Sequence, residues 1–595
     1  MGDKGRNSQQ QEIILFEDFY DNNVEWWKES TANFTIIPVG RCKGKGYNII
    51  FDEEAKLGLP SSNAIITGMP GSGKSNMLHT MIIGSCINYS PNELRLVLID
   101  LKSSEFNQYV DEKLPHADFI ANKATPEVCI HLLKIICDKI KERQHLFIDK
   151  KVINYECYRK ENPNERLPRY MIVIDEYGLL FRDGESRNLA YNYISFIVNR
   201  GRKLGFIIIL SSQSVLLPAD LMAVMRHRIV MRSSVTTARD VLWFDDERAP
   251  HLNIGQAIVC HETTDLIQCY FLPNSYSDKT ANSNKLRFDY LRLINERWSK
   301  ETQAIFEHNL YVFDRNKPAI LSNNKQYRSL TVNDNTEVFF SPGEKFLVDG
   351  SDFMCKFIRA KNENLLVIGG KIDVSVRATH GCLMSMLPQF DPKQIEIDIV
   401  NLLDFSHANL REKIESTANL IKARYKKTTY TKLNGGVNAL FDDVIKDIEQ
   451  RTDKLGKGEY LAPRFLIIFQ TENNQDFWEI NTEGRSTKSF ATNRLVQLLK
   501  TGSDVGVHCL LHFNNTDGYF NVFDEDDKSY FNHRILLQMS EKDSKIFLDS
   551  YIQKDAAQLV DNEASEENKY NMALYKNMYY NDPVKIKPYE FMDIK

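Results

Sequence analysis

Residues 68–75 read GMPGSGKS and meet every fixed position of the pattern G-x-x-x-x-G-K-[ST]. The apolar run Ala64, Ile65, Ile66 precedes them as a strand, and residues 76–82 (NMLHTMI) follow as the start of a helix. Strand, glycine-rich turn and helix in that order make a phosphate cradle. The glycines let backbone N–H groups curl around phosphate oxygens without Cβ clashes, and the helix N-terminus adds partial positive charge. Gly68, Pro70, Gly71, Ser72, Gly73, Lys74, Ser75 and Asn76 are therefore the candidate nucleotide-binding residues. Lys74 is placed to reach the β- and γ-phosphates, and the Ser75 hydroxyl to ligate Mg²⁺. A chance glycine turn carrying Lys and Ser would not need the flanking strand and helix.

At 595 residues the chain has room for about three to four domains. Its hydrophobic share of 42% and charged share of 26% are those of a soluble globular protein. A net charge of −5 excludes a passive, histone-like nucleic-acid binder but not a machine with a local basic channel. The ten cysteines are scattered and form no C-x-x-C pair, so they suggest neither a zinc knuckle nor a disulfide framework and fit a reducing cytoplasm. The thirteen histidines show no metal-ligand spacing. No run approaches the roughly 18 apolar residues of a membrane helix. The opening MGDKGRNSQQQE has neither a signal-peptide core nor a myristoylation pattern. A cytoplasmic protein without its own membrane span is expected.

Along the chain, residues 1–12 read as a polar tail and 13–30 as a small docking helix with aromatics at helical spacing, together a segment 1–33. From 34 to 273 strands and helices alternate, the pattern of a parallel sheet covered on both faces. LRLVLID (94–100), MIVIDE (171–176) and FIIILSSQ (206–213) are the near-continuous apolar runs of buried parallel strands, with an amphipathic helix over about 126–147. Residues 274–329 begin polar and turn helical as a connection. A second set of strands and helices fills 330–595.

That second set reads as an eroded copy of the first. Asn364 to Gly369 (NLLVIG) match Asn63 to Gly68 (NAIITG); Gly502 matches Gly201, Gly506 matches Gly205 and Asn514 matches Gln213; the stretch at His533 matches that at His227. Ser375 stands where the phosphate lysine would be. FLIIFQTE sets Gln470 and Thr471 against Asp175 and Glu176. Without the lysine and the acid, tight Mg-ATP binding is not expected, and the second half reads as a pseudo-ATPase. The fold class is thus α/β, with two tandem P-loop NTPase-type domains, mostly parallel sheets and helices on both faces; the resemblance given below implies that both are RecA-like.

In the first half, Asp175 ends a buried strand and would hold Mg²⁺ with Ser75, while Glu176 would orient and deprotonate the attacking water. Gln213, at the end of FIIILSSQ, could sense the γ-phosphate. Lys74, Asp175, Glu176 and Gln213 form the candidate catalytic set. Arg143, Arg202 and Arg228 are candidate fingers for a neighbouring subunit's nucleotide. The chemistry is hydrolysis of the terminal phosphoryl bond of ATP, with Mg²⁺.

The ordered series IPVGRCKGKGYNIIFD, GMPGSGKSNML, LIDLKSSEFNQY, MIVIDEYGLL, NRGRKLGFIIILSSQS and MRHRIVMRSS resembles the FtsK/SpoIIIE motor family. The likeness is strong over 34–273 and weak over 330–595. Asp100, Lys102 and Glu105 of DLKSSEF discriminate best, because the phosphate loop alone is shared by many NTPases. Gln213 matches the glutamine of the family's alanine-threonine-glutamine strand end, with Ser211 and Ser212 replacing the usual two residues. The resemblance implies ring hexamers of RecA-like domains that pump double-stranded DNA or, in type VII secretion, drive protein export. It implies a homo-oligomer or partner proteins of the same system, and DNA gripped at phosphates, with Lys102 and the Lys203 region as candidates. The leading expectation is a double-stranded DNA translocase. The alternatives are a protein-secretion motor ATPase and a nucleotide-gated assembly scaffold.

Overall fold

The computed structural model describes residues 13–592 apart from 53–59, 104, 164, 166, 183, 276–283, 302–309, 333–336, 349, 433–435, 479, 483–484, 549–553, 558, 562–563 and 580–582. The polar tail 1–12, residues 276–283 of the polar connection and Ser104 of DLKSSEF lie outside the described residues. The chain divides into two compact units, Met1–Asp314 and Arg315–Lys595. No helix among the described residues is long and apolar enough to cross a membrane.

In the first unit a single sheet runs from Tyr311–Phe313 through Ala117–Ala121, Leu94–Asp100, Arg169–Asp175, Phe206–Ser212, Asn63–Thr67, His227–Met231, Gln256–Cys260, Thr264–Phe271 and Phe34–Cys42 to Lys45–Asp52. Strands pair in parallel as far as His227–Met231 and antiparallel beyond it. Parallel strands covered on both faces must be apolar throughout, and Met171 to Ile174 and Ile207 to Leu210 are all buried. The short strand Ile14–Leu15 joins Tyr270 and Phe271 from the side, in parallel.

The amphipathic helix has the extent its sequence predicts, whereas the docking helix is shorter than residues 13–30, which also contain a short strand and a non-helical stretch. The amphipathic helix spans Pro126–Asp149; proline opens it, and the Thr125 side chain accepts from the Val128 N–H at 3.3 Å. The docking helix is Phe16–Asn23; Phe16 and Tyr20 are buried in the core, and the Trp27 indole donates to the Cys86 carbonyl at 2.8 Å. The basic stretch 424–432 (RYKKTTYTK) spans two elements: the helix Ala408–Arg424 ends there, and Lys427–Lys432 continues as the edge strand of the second sheet.

Sheet order positions the site. The strand before the phosphate loop, Asn63–Thr67, is separated from the acidic strand Arg169–Asp175 by Phe206–Ser212. In register, Asp100 lies opposite Asp175, Asp175 opposite Ser211, and Ser212 opposite Thr67. Four neighbouring strands therefore end in one polar row, on the side where ligands bind in open α/β sheets.

The second unit has a smaller sheet: Gly343–Lys345, Val584–Pro588, Ala573–Asn577, His533–Leu537, Leu365–Ile368, Val507–Phe513, Arg464–Phe469, Glu396–Asn401 and Lys427–Lys432. It is parallel from His533–Leu537 onward. The same registers recur. Ala64 pairs with His227 and Ile209, and Leu365 pairs with His533 and Leu510. This supports the matches of Asn63 with Asn364 and Gln213 with Asn514.

One match needs correcting. Tyr170 donates its N–H to Gly205 and Arg464 donates its N–H to Gly506, each at 2.9 Å, so Tyr170 corresponds to Arg464. Phe469 then stands where Asp175 is, and Gln470 where Glu176 is. The backbone agrees: Glu176 and Gln470 both have φ of 56°, and each opens a 3-10 turn. Reading the acidic pair against QTE by polarity alone slipped it by one residue.

Candidate nucleotide site

The phosphate loop is built by conformations that only glycine takes cheaply. Gly73 has φ of 102° and would press any Cβ to 3.0 Å from the Gly255 nitrogen. The Gly255 N–H donates to the Ser72 carbonyl at 2.9 Å, and the Met69 N–H to the Arg232 carbonyl at 2.9 Å, which pins the loop from both sides. The helix Lys74–Asn88 begins at once and is buried from Met77 to Asn88, as expected of a central helix apolar on all faces.

Lys74, Asp175 and Ser211 form one cluster. The Lys74 ammonium donates to Asp175 Oδ1 at 2.5 Å and to Ser211 Oγ at 3.0 Å. Burial raises the Asp175 carboxyl above the usual carboxylate range; Lys74 opposes that shift. Glu176 adopts the left-handed conformation and turns its carboxylate into the same cleft, where Oε1 accepts from the Ser212 hydroxyl at 3.1 Å and the Gln213 N–H at 3.4 Å. The candidate base and the candidate sensor are thus joined directly through the end of one strand.

DLKSSEF becomes legible in the same way. The Asp100 carboxylate accepts the backbone N–H groups of Lys102, Ser103 and Glu105 at 2.9, 2.8 and 3.0 Å and the Ser103 hydroxyl at 2.7 Å. It folds the loop that delivers Glu105 to 3.4 Å from the Ser75 hydroxyl. Behind it, His79 meets Glu105 at 3.3 Å and the Tyr109 hydroxyl at 2.6 Å. Burial pushes the His79 imidazole down to about 4, so it is neutral at pH 7. The contact with His79 holds the Glu105 carboxyl below its ordinary value.

These groups line one cavity of about 690 Å³ that includes Pro70, Gly71, Gly73, Lys74, Ser75, Asn76, Lys102, Asp175, Glu176 and Gln213. Gly68 and Ser72 are not among the residues that line it; they pack against each other within the loop, where a Cβ on Gly68 would meet the Ser72 hydroxyl at 2.6 Å. The donor set suits Mg²⁺. A hydroxyl and one or two carboxylates leave the remaining positions to phosphate and water, and among the described residues no cluster of three or more His, Cys, Asp or Glu offers a cage instead.

The arginines and lysines fall elsewhere. Arg143 is buried, donates to the carbonyls of Leu204 and Pro168 at 2.8 and 2.9 Å and stacks on Phe206. These contacts hold its guanidinium against its own sheet, turned away from a neighbouring subunit's nucleotide. Arg228 donates to the Met225 and Met222 carbonyls and lies 3.8 Å over the exposed Trp243 ring. Arg202 is half-buried on the turn Arg202–Leu204, ahead of Phe206–Ser212 and at the opposite end of the sheet from the phosphate loop. Lys203 is exposed on that turn, whereas Lys102 faces the nucleotide cavity. Sequence reading missed the roles of Ser211, Ser212 and Glu105. The two serines stood out only as departures from a familiar strand end, and hydroxyls at two consecutive positions facing an acidic pair were the available signal.

At the equivalent places of the second unit the side chains bond to one another. Ser375 replaces Lys74, and His512 replaces Ser211. The Gln470 N–H donates to His512 Nδ1 at 3.0 Å, so Nε2 carries the proton and donates to Ser375 Oγ at 2.8 Å; Ser375 in turn donates to the Ile372 carbonyl at 3.1 Å. Burial pushes His512 down to about 3. Glu472 accepts the Asn514 N–H at 2.9 Å, as Glu176 accepts that of Gln213, and burial raises its carboxyl to about 7.

A RecA-like sheet carrying a phosphate loop, a buried acidic strand end and an adjacent glutamate defines a P-loop ATPase. Residues 21–240 match the FtsK/SpoIIIE family model, and the first unit belongs to that family. Among curated relatives, "DNA translocase FtsK" of Clostridium tetani is 31% identical over 153 residues, 25% of this chain and 20% of that protein. "ESX secretion system protein EccC" of Geobacillus thermodenitrificans is 26% identical over 198 residues, 32% and 13% respectively. The chain thus spans about a fifth or less of the length of these relatives. Among solved structures, the cytoplasmic domain of the type VII secretion ATPase EccC of Thermomonospora curvata superposes with a TM-score of 0.66 at 16% identity, over 98% of this chain and 68% of that one. EssC (ATPases 2 and 3) of Geobacillus thermodenitrificans does so with 0.58 at 15%, over 95% and 98%. The tandem RecA-like fold therefore extends through both units.

Proposed function

We propose that the first unit hydrolyses ATP with Mg²⁺ to drive movement of a polymer, and that the second unit is a pseudo-ATPase. The observation that carries the reading is the convergence of Lys74, Ser75, Asp175 and Glu176 on one cavity. Bound Mg²⁺ would be held by Ser75 and Asp175 and would neutralise charge on the phosphates. Lys74 exchanges its pairing with Asp175 for the β- and γ-phosphates, which releases the carboxylate for the metal side of the site. Glu176 orients the attacking water and takes its proton. Its bond to the Gln213 N–H carries the change into the strand Phe206–Ser212. Gly68, Pro70, Gly71, Ser72, Gly73 and Asn76 shape the cradle. Arg228 and Arg202 remain the finger candidates for a ring of identical subunits.

Two cargoes have specific support. Duplex DNA is favoured by the likeness to "DNA translocase FtsK", 31% identical over 153 residues. Polypeptide is favoured by likeness to the secretion ATPases through both units, and by the position of Lys102 inside the nucleotide cavity, which removes one offered DNA contact. ATP turnover measured alone, with linear duplex DNA and with a secreted-type peptide, at low and moderate salt, decides between them. Stimulation by DNA that falls steeply with salt supports the first. Stimulation by peptide alone supports the second. Tight ATP binding with negligible turnover under every condition leaves only the nucleotide-gated scaffold.

A further inference from the structure

The nucleotide cavity has two chemically different ends. Its charged groups are Lys74, Lys102, Glu105, Asp175 and Glu176, of which Lys74 pairs with Asp175 and Glu105 meets Ser75 of the phosphate loop. The other end is apolar and is assembled from three separate segments: Ile13, Ile254 and Phe271. Ile13 and Ile254 are 50% and 54% exposed, large hydrophobic side chains turned toward the cavity rather than into the core. Scattered single hydrophobics on a surface need no explanation; two that converge with a phenylalanine on the mouth of a ligand cavity do.

The wall they form is braced to the phosphate loop. Asn76, in the first turn of the loop's helix, donates to the Tyr270 carbonyl at 2.7 Å and accepts the Leu272 N–H at 2.9 Å, gripping the backbone on both sides of Phe271. Thr80 adds a second bond to the Tyr270 carbonyl at 3.3 Å. Ile254 precedes Gly255, whose N–H is tied to Ser72, and the Gln268 amide stands over Gly255. The strand Ile14–Leu15 pairs with Tyr270 and Phe271 and so fixes Ile13 at the same mouth.

We propose that Ile13, Ile254 and Phe271 are the clamp for the purine ring of the nucleotide, with the Gln268 amide available to its polar edge. The segment ahead of the first helix is then part of the ATP site. A flat heteroaromatic ring matches the apolar faces, and an amide supplies both a donor and an acceptor to ring nitrogens. The clamp rests on the ATPase reading and adds base recognition to it. It also assigns Asn76 a positioning role, because both its amide nitrogen and its amide oxygen hold the clamp strand.

Calorimetric titration of the full chain with Mg-ATP and with Mg-tripolyphosphate, which has no base, tests the clamp. Ile13→Ala changes an exposed side chain and leaves the fold intact. It should weaken ATP about fivefold through lost apolar contact while leaving tripolyphosphate unchanged. Ile254→Ala should do the same, as a second variant that does not depend on the amino-terminal strand. Equal weakening of both ligands, or no weakening of ATP, would overturn the clamp while leaving the ATPase reading standing. Unaltered protein that binds neither ligand would overturn both.

Discussion

In the first unit a lysine at the start of the phosphate-loop helix meets an aspartate and a serine on the two strands beside it; in the second, serine, phenylalanine and histidine hold the three corresponding places. Sheet order, strand register, the left-handed residue after the acidic strand and the glycine turns persist in both. The comparison separates two things that sequence similarity blends. The scaffold is kept by apolar strands and turn glycines and tolerates loss of chemistry. The chemistry resides in a few buried polar groups that must be satisfied together. When the ion pair was replaced, the polar cluster was not left broken, since an unpaired buried charge costs more than a neutral hydrogen-bonded pair. Ser375 and His512 close the gap with a chain of bonds ending on a carbonyl.

The largest expected effect is Lys74→Ala, which should lower ATP turnover by at least about 10³-fold and abolish detectable ATP binding; retained binding would break the contrast between the units. Glu176→Gln should lower turnover by about 10³-fold while ATP stays bound, as read by filter binding beside single-turnover hydrolysis; parental turnover would remove Glu176 as the base. Ser375→Lys sharpens the comparison from the other side. It buries an ammonium against Phe469 and His512 and should cost about 3–5 kcal/mol in denaturant unfolding, with partial recovery on adding Phe469→Asp. A neutral outcome for Ser375→Lys would mean that the second cleft is open to water.

Counted per pH unit, the smallest effect is on pH dependence. Burial holds His79 at about 4 and His512 at about 3, below the roughly 6.5 of an unfolded histidine. Between those values the unfolded chain binds more protons than the folded one. The stabilisation is therefore complete above about pH 6.5 and is lost as pH falls toward 4, by about 1.4 kcal/mol per pH unit for each such histidine. Urea midpoints at pH 7.5, 6 and 5 check this; equal midpoints would contradict it.

Much of this was readable from the residues alone. The phosphate loop carries its own context in Ala64 to Ile82, and MIVIDE and FIIILSSQ announce buried parallel strands because they are short, rich in β-branched residues and apolar almost throughout. The internal repeat was visible through Gly201/Gly502 and Gly205/Gly506, since turn glycines are held by backbone conformation. Polar matches were less secure. Gln470 was set against Asp175 rather than Glu176, because only the sheet register shows that an apolar Phe469 fills the acid's place. Arg143 looked like any other arginine until burial and its two carbonyl partners gave it a structural role. The clamp was hidden for a different reason: Ile13, Ile254 and Phe271 are ordinary hydrophobics until distant segments bring them to one cavity.

The stoichiometry of ATP binding to the full chain tests the central contrast most directly. The account requires one nucleotide per chain, lost in Lys74→Ala and unaffected by Ser375→Ala. Two nucleotides per chain, or one that survives Lys74→Ala, would contradict it.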